Sequence, residues 1–219
     1  MKILADDPTA AAILTAVPCY PVPQVGRSPA IEELRSAPAG EGVIVGRDGV
    51  MLVVRRPWLE VDALMAPAFP GYVPYGSVGR PRAMLRCGLI PGGLLDRILA
   101  HFMTALPNEA AAFVLWNAVS GEFEVHFPDT VEATPSRLVY RPPAVGPGWY
   151  VVCDIHSHGR GRAFFSSTDD ADDAHSTKIA LVVGRLDDPE GAEIASRLCA
   201  GGMFLPMPRS PFAGEDHDA

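Results

Sequence analysis

Proline and glycine cut this chain into short pieces: 22 prolines and 21 glycines stand among 219 residues, nearly a fifth of the total. Proline removes a backbone donor and glycine loosens the backbone, so both work against long helices. What fits between the breaks is a series of short strands with a few helices, which predicts a mixed α/β protein rather than a helical bundle. Hydrophobic residues make up 48% of the chain and charged residues 20%. That is enough apolar material for a buried core and too little charge for general disorder. The length suits one domain, or one domain with a smaller appendage.

The formal net charge is -8. An acidic surface repels phosphate backbones, which argues against nucleic acid as the main partner. The densest basic stretch, Arg80, Arg82 and Arg86, reads as a solvated loop and strand edge. The four cysteines, Cys19, Cys87, Cys153 and Cys199, form no C-x-x-C pair, which excludes a zinc ribbon or a thioredoxin-like site. The first residues contain two aspartates where a secretory signal would stay apolar, and no apolar run approaches the roughly 20 residues of a membrane helix. The expectation is a cytoplasmic protein with reduced thiols and no membrane partner.

Residues 1–82 read as an N-terminal region of separate character, whose role no residue identifies. Ser28-Pro29 is the start signal of a short helix. Residues 42–56 pattern as a β-hairpin around Arg47-Asp48-Gly49, and a loop rich in Gly, Pro and Tyr follows over 66–82. The pattern sharpens over 83–208. A strand is expected over Ala83 to Ile90, then a helix in which Leu94, Leu95, Ile98, Leu99, Phe102, Met103 and Leu106 share one face. His101 falls on the opposite, solvated side. Ala110 to Trp116 reads as a buried strand, and Phe123, Val125 and Phe127 alternate with polar residues that include His126. Further strands are expected at Leu138 to Tyr140, Trp149 to Ile155, 178–184 and Met203 to Met207, while Glu193 to Cys199 suits helix or strand. Residues 209–219 read as a flexible tail.

Chemistry concentrates in the stretch from Asp154 to Asp169. Side chains in a strand repeat every two residues, so His156 and His158 point to one side at the end of the Trp149 strand. Two imidazoles so placed can grip one zinc ion, with a carboxylate as third ligand and the fourth position left to solvent. Ser166-Ser-Thr-Asp169 is a helix-start pattern that would put Asp169 in a first turn facing the strand end. Each part also has an ordinary reading. A lone His-x-His is commonplace, Ser166 and Asp169 are equally a capping pair, and Asp170, Asp172 and Asp173 read as solvated charges at a helix start. Cys153 faces away from His156, which disfavours a cysteine nucleophile, and Ser157 lacks a nucleophile elbow.

The combination, His156-x-His158, seven residues, Ser166-x-x-Asp169, resembles the signature of the JAMM (MPN-plus, JAB-domain) zinc metalloproteases. The family's upstream glutamate is matched by Glu109, which follows the helix and precedes the Ala110 strand. The resemblance implies a cytidine-deaminase-like three-layer α-β-α fold, with a mixed β-sheet flanked by helices, over 83–208. It also implies one Zn²⁺ per chain on His156, His158 and Asp169. Glu109 would act as general base and then acid, and Ser166 as donor to the oxyanion. The implied substrate is a peptide or isopeptide bond at the C-terminus of a ubiquitin-like protein. A narrower likeness, to the bacterial PRTRC system protein A family, rests on HSHG, on AFFSSTDDADD and on the N-terminal region. It adds a ThiF-like activating enzyme as a possible partner. Rival expectations are a catalytically silent MPN scaffold and a zinc hydrolase acting on a small amide. The chain departs from the family at Gly159 and Phe165, where proline is common, and at Ala112, where glycine is frequent.

Overall fold

A computed structural model describes residues 16–68 and 70–214, together with Pro8, Thr9 and Ala12. The fold divides between Arg86 and Cys87 into two units.

The first unit is a five-stranded sheet in the order β1-β2-β3-β4-β5. Its centre is the expected hairpin, β2 (Gly40–Gly46) and β3 (Gly49–Arg56), closed between Gly46 and Gly49. Gly49 has φ 145°, and a Cβ there would meet the Ala66 carbonyl oxygen at 2.5 Å, so this corner requires glycine. β1 (Cys19–Pro21) adds parallel to β2, and helix α1 (Pro29–Ser36) starts at the expected Ser28. Ile31 and Leu34 of α1 pack on Ile44, Met51 and Val53. β4 (Leu59–Pro67) pairs antiparallel with β3 and has no clear signature in sequence. Glu60 and Asp62 interrupt its apolar run, yet Asp62 is buried and its Oδ1 lies 2.8 Å from Arg55 Nη2.

One expectation changes in this unit. The strand expected over Ala83 to Ile90 is shorter, β5 (Arg82–Leu85), and it pairs with β4. Arg82, exposed on this edge strand, and Arg86, half-buried just after it, keep the expected strand-edge position and are paired there. Arg86 Nε donates to Glu60 at 2.9 Å, and Arg82 bridges Glu60 and Asp62 at 3.1 Å each.

The second unit is built on a six-stranded sheet in the order β13-β12-β11-β10-β6-β7. Helix α2 (Gly92–Ala105) precedes it and buries Ile98 and Phe102. Met103 remains 46% exposed, so the buried face is narrower than the apolar stripe. His101 is half-buried rather than solvated, its ring 4.0 Å from that of Phe127. β6 (Ala111–Asn117) and β10 (Trp149–Ser157) run antiparallel at the centre. β10 and β11 (Lys178–Gly184) are parallel, which makes the sheet mixed. β7 (Phe123–His126), β12 (Glu193–Ala200) and β13 (Met203–Pro206) complete it, and β8 (Thr130–Thr134) with β9 (Arg137–Tyr140) forms a separate hairpin. β12 resolves the open reading of residues 193–199 in favour of strand. The architecture is therefore mixed α/β with few helices, and the N-terminal unit is β-rich.

β10 runs on to Ser157, past the expected Ile155, so His156 sits in the strand and His158 just beyond it. Helix α3 (Ser167–Asp173) follows with Ser166 as N-cap. The expected loose tail is ordered at its start: Phe212 is 2% exposed, and Ile90 N–H donates to Pro211 O at 2.9 Å. Residues 215–219 lie outside the described residues. All four cysteines are free, and among the described residues no helix is long and apolar enough to cross a membrane.

Candidate metal centre

Directly paired residues in adjacent strands present side chains to the same face. Asp154 pairs with Ala180, which pairs with Arg197, and His156 pairs with Val182. Asp154, His156, Lys178 and Arg197 therefore share one face of the sheet, and α3 packs against it through Asp170 and Asp173. The end of the strand and the residue just beyond it contribute the imidazoles, and the helix the carboxylate.

Three sequence-expected ligands converge here. His156 Nε2 stands 3.3 Å from His158 Nε2 and 3.5 Å from Asp169 Oδ1, and one ligand atom from each residue lies within 4.8 Å of the others. Donor atoms on a tetrahedral zinc with bonds of about 2.0–2.1 Å stand roughly 3.3–3.4 Å apart. The two nitrogens and one oxygen suit that ion in chemistry, and both spacings from His156 lie close to this value.

Hydrogen bonds prepare these ligands. His158 Nδ1 lies 3.0 Å from the Arg162 carbonyl. A carbonyl only accepts, so Nδ1 carries the proton and the Nε2 lone pair is free to bind a cation. Burial lowers the pKa of His156 below its usual 6.5, outweighing the opposite pull of Asp169, and this keeps the ring neutral. Asp169 belongs to a capping box. Ser166 N–H and Ser166 Oγ–H both donate to Oδ2, at 2.6 and 2.7 Å, and Asp169 N–H donates to Ser166 Oγ at 3.2 Å. With Oδ2 so held, Oδ1 faces His156.

Gly159 follows His158 with φ 54°, a conformation proline cannot adopt. Glycine rather than proline after His158 is thus a local backbone requirement. Beyond it, Glu193 accepts from Ala163 N–H at 3.2 Å, which helps fix the loop to β12. Phe164, 55% exposed, sets its ring edge-to-face on His158 at 4.8 Å between centroids.

Glu109 sits beside the ligand set. Burial raises its pKa above the usual carboxylate value, His158 opposes that rise and Asp169 adds to it. Its position is fixed from both sides. Glu109 N–H donates to Thr134 O at 3.0 Å, and the next residue, Ala110, donates its N–H to the buried Ser157 Oγ at 3.0 Å. Ser157 thus braces the start of the strand rather than presenting a nucleophile. Cys153 is fully buried, and burial pushes its thiol well up, which leaves it inert.

One expectation fails outright. Asp173 is not a solvated helix charge but 5% exposed, bonded to Lys178 Nζ at 2.7 Å and Arg197 Nη2 at 2.7 Å. Lys178 Nζ also reaches Asp154 Oδ2 at 2.5 Å, and Arg197 Nη1 reaches Asp170 at 2.5 Å. Burial alone would raise Asp173, but the hydrogen bonds from Lys178 and Arg197 win and hold it below the usual carboxylate value. Tyr140 also lines the small cavity shared by His156, Asp169 and Lys178. Tyr140, Lys178 and Arg197 carry no local motif, and only strand register brings them here.

Residues 91–198 match the family model described as prokaryotic homologs of the JAB domain, and residues 7–86 match a domain of unknown function, DUF2016. No curated protein matches the chain in sequence. Among solved structures, a solution structure of a protein from Desulfitobacterium hafniense is 18% identical with a TM-score of 0.44, covering 57% of this chain and 92% of its own. A JAB1/MPN domain protein from Archaeoglobus fulgidus is 20% identical with a TM-score of 0.35, covering 57% of this chain and 97% of its own.

Proposed function

Proceeding from a JAB-like domain over residues 91–198, we propose that the protein is a zinc-dependent metalloprotease of JAMM type. The observation that carries this reading is the approach of His156 Nε2 to His158 Nε2 and Asp169 Oδ1, at 3.3 and 3.5 Å. The substrate it favours is a peptide or isopeptide bond at the C-terminus of a ubiquitin-like protein, with a ThiF-like activating enzyme as the expected companion.

Bound zinc supplies Lewis acidity, lowering the pKa of a water to about 7 and polarising a carbonyl. His156, His158 and Asp169 would hold the ion. The Glu109 carboxylate, made more basic by burial, takes a proton from the attacking water and delivers it to the leaving amine. Ser166 Oγ–H donates to Asp169 Oδ2, so its first task is to aim the ligand carboxylate. Donation to an oxyanion, the role the resemblance implies, needs that hydroxyl proton turned from Asp169 toward the substrate.

The test is incubation of the zinc-loaded protein with ubiquitin-like fusions, with and without a chelator. Chelator-sensitive cleavage is expected. Binding without cleavage would instead identify a silent scaffold, and turnover of small amides alone would identify a different hydrolase.

A further inference from the structure

We propose that Lys178 is a positioning residue for the metal centre, holding the Asp169 helix in register with the strand that carries the two histidines. The inference rests on His156, His158 and Asp169 binding a metal, and it concerns what keeps them together.

The ligands come from two elements that have no covalent reason to stay aligned. Nine residues, 158–166, separate the end of β10 from α3, and α3 is only seven residues long. A helix that short does not hold by itself in water. Its sequence, STDDADD, makes matters worse, because Asp172 and Asp173 sit at its C-terminal end with no basic residue in the last turn. Negative charge there opposes the helix dipole. The sheet must supply what the helix lacks.

Lys178 supplies it in one side chain. Its ammonium lies 2.5 Å from Asp154 Oδ2 and 2.7 Å from Asp173 Oδ1. Asp154 is two residues before His156, one side-chain repeat along the same strand face. Asp173 is four residues after Asp169, one turn along the same helix face. Each anchor is therefore one structural repeat from a ligand. The side chain of Lys178 is 17% exposed, that of Asp154 12% and that of Asp173 6%, so solvent and salt screen these bonds little. Arg197 adds a second hold, on Asp170 and Asp173, with its guanidinium 3.9 Å from the ring centres of Phe165 and Phe204. Arg197 ties the helix to β12. Lys178 ties it to the ligand strand.

Positioning and simple charge predict opposite signs. If Lys178 mattered only as a positive charge near a cation, its removal would tighten metal binding. If it aligns Asp169, its removal weakens binding despite the added negative potential.

The experiment is a Co²⁺ titration of the full chain, following the visible d–d absorption, for the wild type, Lys178→Met and Asp169→Asn. The expected result for Lys178→Met is a dissociation constant raised about 10–100-fold, the range typical of groups that orient metal ligands, with a spectrum shifted toward that of Asp169→Asn. Wild-type or tighter affinity with an unchanged spectrum overturns the proposal while leaving the metal centre intact. Should Lys178→Met fail to fold by circular dichroism, Lys178→Gln replaces it: weaker binding supports the proposal, and wild-type or tighter binding overturns it. A wild type that binds no Co²⁺ removes the metal reading itself, and the proposal with it.

Discussion

Both units bury charge, but they do so for different ends. In the N-terminal sheet, Arg55 is fully buried, and its guanidinium is spent on Asp62, on the carbonyls of Val54 and Val61, and on that of Arg35. Every one of these partners is an acceptor within the same unit. In the C-terminal sheet, Lys178 and Arg197 likewise neutralise Asp154, Asp170 and Asp173, but beside them stand acceptors left facing one another: two imidazole nitrogens and a carboxylate oxygen. The difference teaches that buried charge does not by itself mark a site. Converging lone pairs do, with hydrogen bonds orienting His158 and Asp169 from their far sides.

The strongest way to break this contrast is to remove a converging ligand. His158→Ala should reduce zinc well below one ion per chain by elemental analysis and abolish chelator-sensitive cleavage, while full zinc retention would refute the ligand set. Glu109→Gln should keep its zinc and lose about 10²–10⁴-fold in turnover, the range of general acid–base catalysis. Unchanged turnover would remove Glu109 from the chemistry. On the other side of the comparison, Arg55→Met leaves Asp62 without its closest cation. Breaking such a buried pair costs about 3–5 kcal/mol, measurable by urea denaturation, yet zinc content should not change in protein that remains folded. A variant that folds and loses zinc would contradict the separation of the two roles.

The smallest effect is the pH dependence. All six histidines lie beyond Arg86. Burial lowers His156 from its usual 6.5, so below about that pH the unfolded chain takes up a proton that the folded chain resists. Stability therefore rises with pH through this window and falls as the solution is acidified below about 6.5. Thermal melts of metal-free protein between pH 7.5 and 5 should show this slope, and His156→Asn should flatten it. An identical slope in the variant would show that burial of His156 is not its source.

Much of this was legible in the chain. The hairpin over 42–56 and the buried strand before Trp116 follow from local patterning. Glu109 was found through its resemblance to a family motif, and the His156, His158 and Asp169 set through strand and helix periodicity joined to that same motif. β4 was not legible, because Glu60 and Asp62 break its apolar run and become tolerable only once Arg55, Arg82 and Arg86 reach them. Asp173 was misread for the same reason. An acidic residue late in a short helix looks solvated until two cations arrive from strands far along the sequence.

The sequence by itself determined which residues could ligate, since an imidazole pair at a strand's two-residue repeat and a carboxylate in a capped first turn are local matters of period and hydrogen bonding. Tertiary structure alone decided that they meet. That choice depends on strand order and register, which bring Asp154, Lys178 and Arg197 from three separate strands onto one face. No single segment can encode such an arrangement, because the ion pairs that stabilise it form only after the sheet has closed.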